Sequence, residues 1–247
     1  MLNKRLIISA VFGCVLAACA LAASASVMLG GTRVIIGEKD RQASIPLKNT
    51  GSSPYVVQTW IDAGEGKNKA PLLVTPPLSR LDPGAENILR IVRISNDLPS
   101  DRESVFWLNV KEIPEKSDQP NVLQIAVRTR IKVFYRPAGL AGKPDEARSL
   151  ITLAVVPGED GKGAALRVNN PSAYNITFTG FKINGGKEQT KAGMVPAFGA
   201  MDFPLTAISS LQPVDVSYTT INDYGGETPE VVTKAAVASA TPAVVGK

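Results

Sequence analysis

The side chains from which this chain could build chemistry are few, and they exclude more than they offer. It contains no histidine, and its two cysteines, Cys14 and Cys19, both fall within the first twenty residues. Ser-His-Asp and Cys-His nucleophiles need an imidazole base, and the usual zinc sites need imidazole or thiolate ligands. Paired carboxylates can hydrolyse glycosides, and Glu103, Glu112 and Asp223 are available for that work. Their commoner fate, as ion pairs or surface charges, is the better reading. Gly30-Gly31 and Gly225-Gly226 read as turns, not as a phosphate loop between a strand and a helix. One cation stands out, because Lys132 sits among apolar neighbours in Ile131-Lys132-Val133.

The element that must carry Lys132 is the stretch Asn121–Pro137, NVLQIAVRTRIKVFYRP. Leu123, Ile125 and Val127 alternate with Gln124, Ala126 and Arg128, and Ile131, Val133 and Tyr135 alternate with Lys132 and Phe134. A period of two over Leu123–Tyr135 predicts one β-strand about twice the usual length. Its first half is suited to pairing with another protein's unfinished sheet, its second half to its own core.

The chain opens with Lys4 and Arg5, an apolar run from Leu6 to Ala22, and the small residues Ala23-Ser24-Ala25. This is the pattern of a secretory signal peptide, with an A-x-A site that predicts cleavage after Ala25. A membrane anchor fits less well. Leu16-Ala17-Ala18-Cys19 also resembles a lipoprotein cleavage box, so lipidation at Cys19 is the minor alternative. Cleavage after Ala25 leaves 222 of the 247 residues, enough for two domains of about 110 residues. The exported form would have no disulfide. Loss of Lys4 and Arg5 leaves 25 Lys and Arg against 22 Asp and Glu, a net charge of +3 in place of +5. That mild, scattered excess gives no stripe for nucleic acid.

Everything after the leader reads as all-β. Strand patterns cover Thr32–Ile36, Ala43–Leu47, Tyr55–Ile61, Asn87–Ile94, Val105–Val110 and Leu123–Tyr135, separated by turn residues such as Asp82-Pro83-Gly84. A break at Arg136–Asp145 holds two prolines and two glycines. A second series follows at Leu150–Val156, Ala165–Val168, Asn175–Ile183, Ala200–Leu205, Val214–Ile221 and Glu230–Val237. Two β-sandwiches joined by a short linker are expected, at 26–138 and 139–247. Ile88, Leu89, Tyr55 and Trp60 read as core, Trp107 as packing, and Ala238–Lys247 as a frayed end.

Several blocks together resemble the periplasmic chaperones of the chaperone–usher pathway. They are Thr75–Gly84 (TPPLSRLDPG) with Leu89-Arg90-Ile91, Asp101–Ser104 (DRES), Glu112-Ile113-Pro114, Asn121–Pro137 and Ile221–Gly226 (INDYGG). They run in family order over nearly the whole exported chain. The resemblance implies two immunoglobulin-like domains in a boomerang, with a cleft that receives a pilin or fimbrial subunit. It implies that Arg33 and Lys132 bind the C-terminal carboxylate of that client, and that Leu123, Ile125 and Val127 form the donor strand filling its groove. Glu103, Arg136 and Asp223 match the interdomain ion-pair positions. The short Ile113–Pro120 connection matches the short-loop branch, which usually serves rod-like pili.

The same resemblance implies no cofactor, no enzymatic activity, and delivery of the client to an outer-membrane usher. The exposed stripe also allows capping between two copies of the free protein. Many relatives carry a cysteine pair late in the second domain, and this chain has none after Cys19. Its second domain is therefore expected to be less stable or to pair its last strand differently. The rival reading is a pilus structural subunit or adhesin. Such a protein should carry its own donor strand at the mature N-terminus, and Ser26–Gly31 is too short for one.

Overall fold

The computed structural model describes residues 26–64, 70–116, 123–186, 188–191, 193–208 and 210–238. The expected leader with Cys14 and Cys19, part of the Ile113–Pro120 connection and nearly all of the expected frayed end lie outside those residues. The first half packs two sheets face to face. One has the order β1-β3-β7-β5, built from Val27–Leu29 (β1), Ala43–Asn49 (β3), Leu72–Thr75 (β5) and Glu86–Arg93 (β7). The other has the order β2-β9-β8-β4-β6, from Arg33–Gly37 (β2), Tyr55–Asp62 (β4), Leu78–Leu81 (β6), Ser104–Pro114 (β8) and Arg128–Arg136 (β9). The β2–β9 pairing is parallel, with Arg33 opposite Lys132.

Alternation decides which residues enter the core, because successive side chains leave a strand on opposite faces. Phe106, Leu108 and Val110 of β8 and Ile131, Val133 and Tyr135 of β9 pack with Ile45, Leu47, Leu89 and Ile91. The alternate residues Arg128, Arg130, Lys132, Phe134 and Arg136 take the other face of the sheet, so the cations of β9 line up on one side, with Phe134 buried among them.

The second half begins with a short helix, Pro144–Ala147 (α1), followed by eight strands. These are Thr152–Pro157 (β10), Ala164–Asn170 (β11), Ile176–Ile183 (β12), Glu188–Lys191 (β13), Met194–Val195 (β14), Gly199–Leu205 (β15), Val214–Thr220 (β16) and Val231–Val237 (β17). They form the hydrogen-bonded path β13-β12-β16-β17-β10-β11-β15, with β14 on β12. The last strand, β17, is antiparallel to β16 and parallel to β10. Aromatic rings hold this core: Phe181 lies 4.9 Å from Phe178 and 4.8 Å from Phe203, centroid to centroid.

Three expectations change. The long strand is shorter than its pattern, because β9 begins at Arg128 and residues 123–127 join no ladder. The physical reason is the absence of a partner strand among the described residues: β8 pairs with β9 only as far as Lys111 opposite Arg128, and β2 reaches only Lys132–Arg136. Ile88 is 48 % exposed, since Leu89 and Ile91 take the core face of β7 and leave it on the other. Trp60 is likewise outside the core. It is half-buried on the outer face of β4, its ring 5.0 Å below the Arg128 guanidinium. Tyr55 does pack against the core. Strands β1, β5, β6, β13 and β14 have no counterpart among the expected strands; each is two to four residues, too short to show a period.

Candidate functional site: a cationic corner and an unpaired segment

Arg33 and Lys132 face each other in the parallel β2–β9 register, on the outer face where the first half meets the second. Arg33 donates from Nη1 to the Ile221 carbonyl at 3.2 Å, and its guanidinium lies 5.6 Å from the Phe134 ring centroid. Its Nε is buried without a hydrogen-bond partner. Burial pulls the guanidinium below its ordinary value, and Asp223 and Glu103 pull it back. Lys132 donates from Nζ to Thr177 Oγ1 at 3.0 Å and sits 5.7 Å from the Trp107 ring. Burial, and then the neighbouring Arg33, lower the ammonium from 10.5 to about 8. Two half-buried cations side by side, one with an orphaned N–H, form a site that calls for an anion. Charge-assisted hydrogen bonds from such donors suit a carboxylate.

The rest of the outer face fixes β9 in place. Asp62 accepts from Arg130 at 2.7 Å and from Asn109 at 2.8 Å, and Asn109 in turn accepts from Arg128 Nε at 3.0 Å. The Arg130 guanidinium covers the Trp107 ring at 4.2 Å. Burial would raise the Asp62 carboxyl, but hydrogen bonds from Arg130, the Gly64 amide and Asn109 outweigh it and hold the group below its usual range. Trp107 is thus packing, as expected, but against cations. Thr177, the Ile221 carbonyl and this Asp62 hub carry no signal in the sequence. Thr177 is contributed from the other half of the chain, and no local pattern flags it.

Directly upstream of β9, Leu123 and Ile125 are 84 % and 70 % exposed. Val127 is half-buried, and its carbonyl accepts from the Glu112 N–H at 2.8 Å, the last backbone bond before the segment leaves the sheet. Apolar side chains and open backbone groups together are what strand addition uses.

At the junction of the halves, Arg136 donates to Glu103 Oε1 at 2.8 Å and to Asp223 Oδ2 at 2.7 Å. Glu103 also accepts from the Asn175 backbone N–H at 2.9 Å. Burial would lower the Arg136 guanidinium, but Asp223 and Glu103 raise it well above its ordinary value. The three residues expected to pair are therefore together. Glu103 and Asp223, two of the acids weighed for glycoside chemistry, are thus both tied to the one guanidinium. Glu112 lies apart from them, buried in the first half.

Comparison with known proteins agrees with this geometry. Residues 26–141 match the family described as "Pili and flagellar-assembly chaperone, PapD N-terminal domain", and 146–232 match "Pili assembly chaperone PapD, C-terminal domain". The probable fimbrial chaperone LpfB of Escherichia coli O157:H7 is 47% identical over 221 residues, covering 85% of this chain and 91% of that one. The crystal structure of the YadV chaperone, a probable fimbrial chaperone of Escherichia coli K12, superposes with a TM-score of 0.73 at 33% identity, over 85% of this chain and 100% of the crystallised chain. The SafB chaperone of Salmonella enterica, solved in complex with the SafA pilin, gives a TM-score of 0.72 at 28% identity over 84% of this chain and 95% of that chain. These relatives are chaperones, not fibre subunits or enzymes. The two family matches, over residues 26–141 and 146–232, and a relative 47% identical over 85% of the chain place it in the PapD family of pilus-assembly chaperones.

Proposed function

We propose that the protein acts in the periplasm, after cleavage of residues 1–25, as a non-enzymatic chaperone that binds and caps pilus or fimbrial subunits. It lends residues 123–127 as a donor strand and hands each client to an outer-membrane usher. The observation that carries this reading is a juxtaposition. Leu123, Ile125 and Val127 have no ladder of their own, and five residues past Val127 stands Lys132 beside Arg33. Those two cations grip the client's terminal carboxylate, which sets the register at which the apolar side chains enter the groove. A slip of one residue would turn that face outward. The SafB–SafA complex supports the class of client. Glu103, Arg136 and Asp223 hold the two domains at the angle the client needs. The same exposed segment suits capping between two free copies.

Co-expression with the pilin genes of its own locus, followed by purification from periplasm, tests the reading. The wild type is expected to retain pilins one-to-one. Ile125→Asp should cut recovery at least about tenfold, since it loses about 1.5–3 kcal/mol of burial and places a charge in an apolar groove. Its own fold should be intact, because Ile125 is 70 % exposed in the free protein. A wild type that retains no pilin would sink the proposal.

The depressed Lys132 ammonium adds a pH signature. In the free protein its pKa is about 8, against an ordinary 10.5. The unfolded chain therefore binds more protons between those values, and free-protein stability gains as pH rises from about 8 towards 10.5. Client binding has the opposite slope, because the carboxylate needs the charged form. Affinity for a peptide that ends in the last residues of a pilin is expected to be flat below pH 8 and to fall about tenfold per unit above it. Proton uptake by calorimetry at pH 8.5 checks this. A flat profile to pH 10 would remove Lys132 from the contact.

A further inference from the structure

Glu112 occupies the core-facing register of β8 after Phe106, Leu108 and Val110, where alternation asks for an apolar residue, and it is 3 % exposed. Among the described residues it forms no ion pair, and its Oε1 is buried without a hydrogen-bond partner. Burial pushes its carboxyl above the usual range, and the opposing pull comes from the backbone N–H groups of Val27 and Ser26. A half-satisfied buried acid is costly and calls for a partner.

What faces Glu112 is the start of β1. The Ser26 carbonyl accepts from the Thr50 N–H at 2.7 Å, its hydroxyl donates to Tyr55 Oη at 3.0 Å, and Val27 is 2 % exposed. Ser26 is therefore fixed beside the acid, and it is the residue that cleavage after Ala25 exposes.

We infer that the Glu112 carboxylate is a receptor for the α-ammonium group created at Ser26, so that removal of the leader completes the core of the first domain. The inference rests on the cleavage reading above. Hydrolysis of the Ala25–Ser26 bond leaves the hydroxyl of water on the Ala25 carbonyl carbon and its hydrogen on the Ser26 nitrogen, which then takes a proton from solvent. One N–H becomes three, and a positive charge arises beside a carboxylate that still has an unpartnered oxygen. In the uncleaved chain the same nitrogen is a neutral amide with a single hydrogen. The site also touches function: the backbone N–H of Glu112 holds the Val127 carbonyl at 2.8 Å, where the unpaired segment departs. Export, processing and a firm base for the donor segment are thereby linked.

The test compares chains released from a cleavable fusion so that they begin at Ser26 or, two residues longer, at Ser24, each with Glu112 or Glu112→Gln. The Ser26 chain should melt about 4 °C or more above the Ser24 chain, and Glu112→Gln should erase the difference. Acylation of the α-amine at pH 7 should be about tenfold slower in the Ser26 chain, and normal once Glu112 is Gln. Equal melting temperatures, or a gap that survives Glu112→Gln, overturn the pair. Intact mass of the exported protein separates the two readings. A start at Ser26 supports the link to processing, and any other start overturns that link whatever the released chains show.

Discussion

Lys132→Ala and Arg33→Ala should each leave a folded protein that no longer holds pilins. Each removes charge-assisted hydrogen bonds worth about 1.5–3 kcal/mol, or roughly 10- to 150-fold in affinity, and the double variant should retain nothing measurable. The free protein should respond in the opposite direction. Lys132 and Arg33 lie side by side in the β2–β9 register, both half-buried, and burial works against the charge of each. Their contacts to Thr177 and the Ile221 carbonyl are replaceable by water, so truncating Lys132 should hold or raise the melting temperature. Loss of binding with unchanged or higher stability is a signature that a merely structural cation would not give. Pull-down of periplasmic pilin and calorimetry of the free variant read both arms. A Lys132→Ala protein that melts early, or one that still retains its client, would contradict the assignment.

The second large effect belongs to Arg136. Arg136→Ala strands Glu103, whose side chain is 2% exposed, without its counter-charge, and leaves Asp223 unpaired. Breaking a buried pair from one side costs about 3–5 kcal/mol, far more than the pair contributes over a neutral replacement. The expected result is a lower first transition and two separated unfolding steps by calorimetry, as the halves lose their shared network. Glu103→Gln combined with Arg136→Met should recover much of that loss, since no charge is then left buried. A single transition at the wild-type temperature for Arg136→Ala would mean that the junction is held by something else.

The fold was legible where alternation runs long enough to count. β3, β4, β7, β8, β11, β12, β15 and β16 follow from it directly, because a half-buried strand must show a period of two. Reading Ile88 as core beside Leu89 departed from that rule, since neighbours on a strand cannot share a face. The rule itself ran Leu123–Tyr135 into one strand. Pattern records which side chains can line a sheet, whereas a ladder needs a partner strand, and residues 123–127 have none among the described residues. The residues gathered at the corner and the junction, Arg33, Lys132, Glu103, Arg136 and Asp223, were placed by the family resemblance. Thr177 and the Asp62 hub were not, because their meaning arises from pairing across 45 and 68 residues.

The anchoring of β9 up to Arg128 also makes the protein a measuring device. Strands rise about 3.3 Å per residue, so Leu123 lies roughly 30 Å along the chain from Lys132 when extended. If Lys132 anchors the client's last residue as proposed, a client would be gauged by how far its open groove runs from that residue. On that reading, deleting two residues from Arg128–Arg130 would shorten the gauge by roughly 7 Å and keep the alternation, at the cost of contacts to Asn109 or Asp62, and would change which pilins fit.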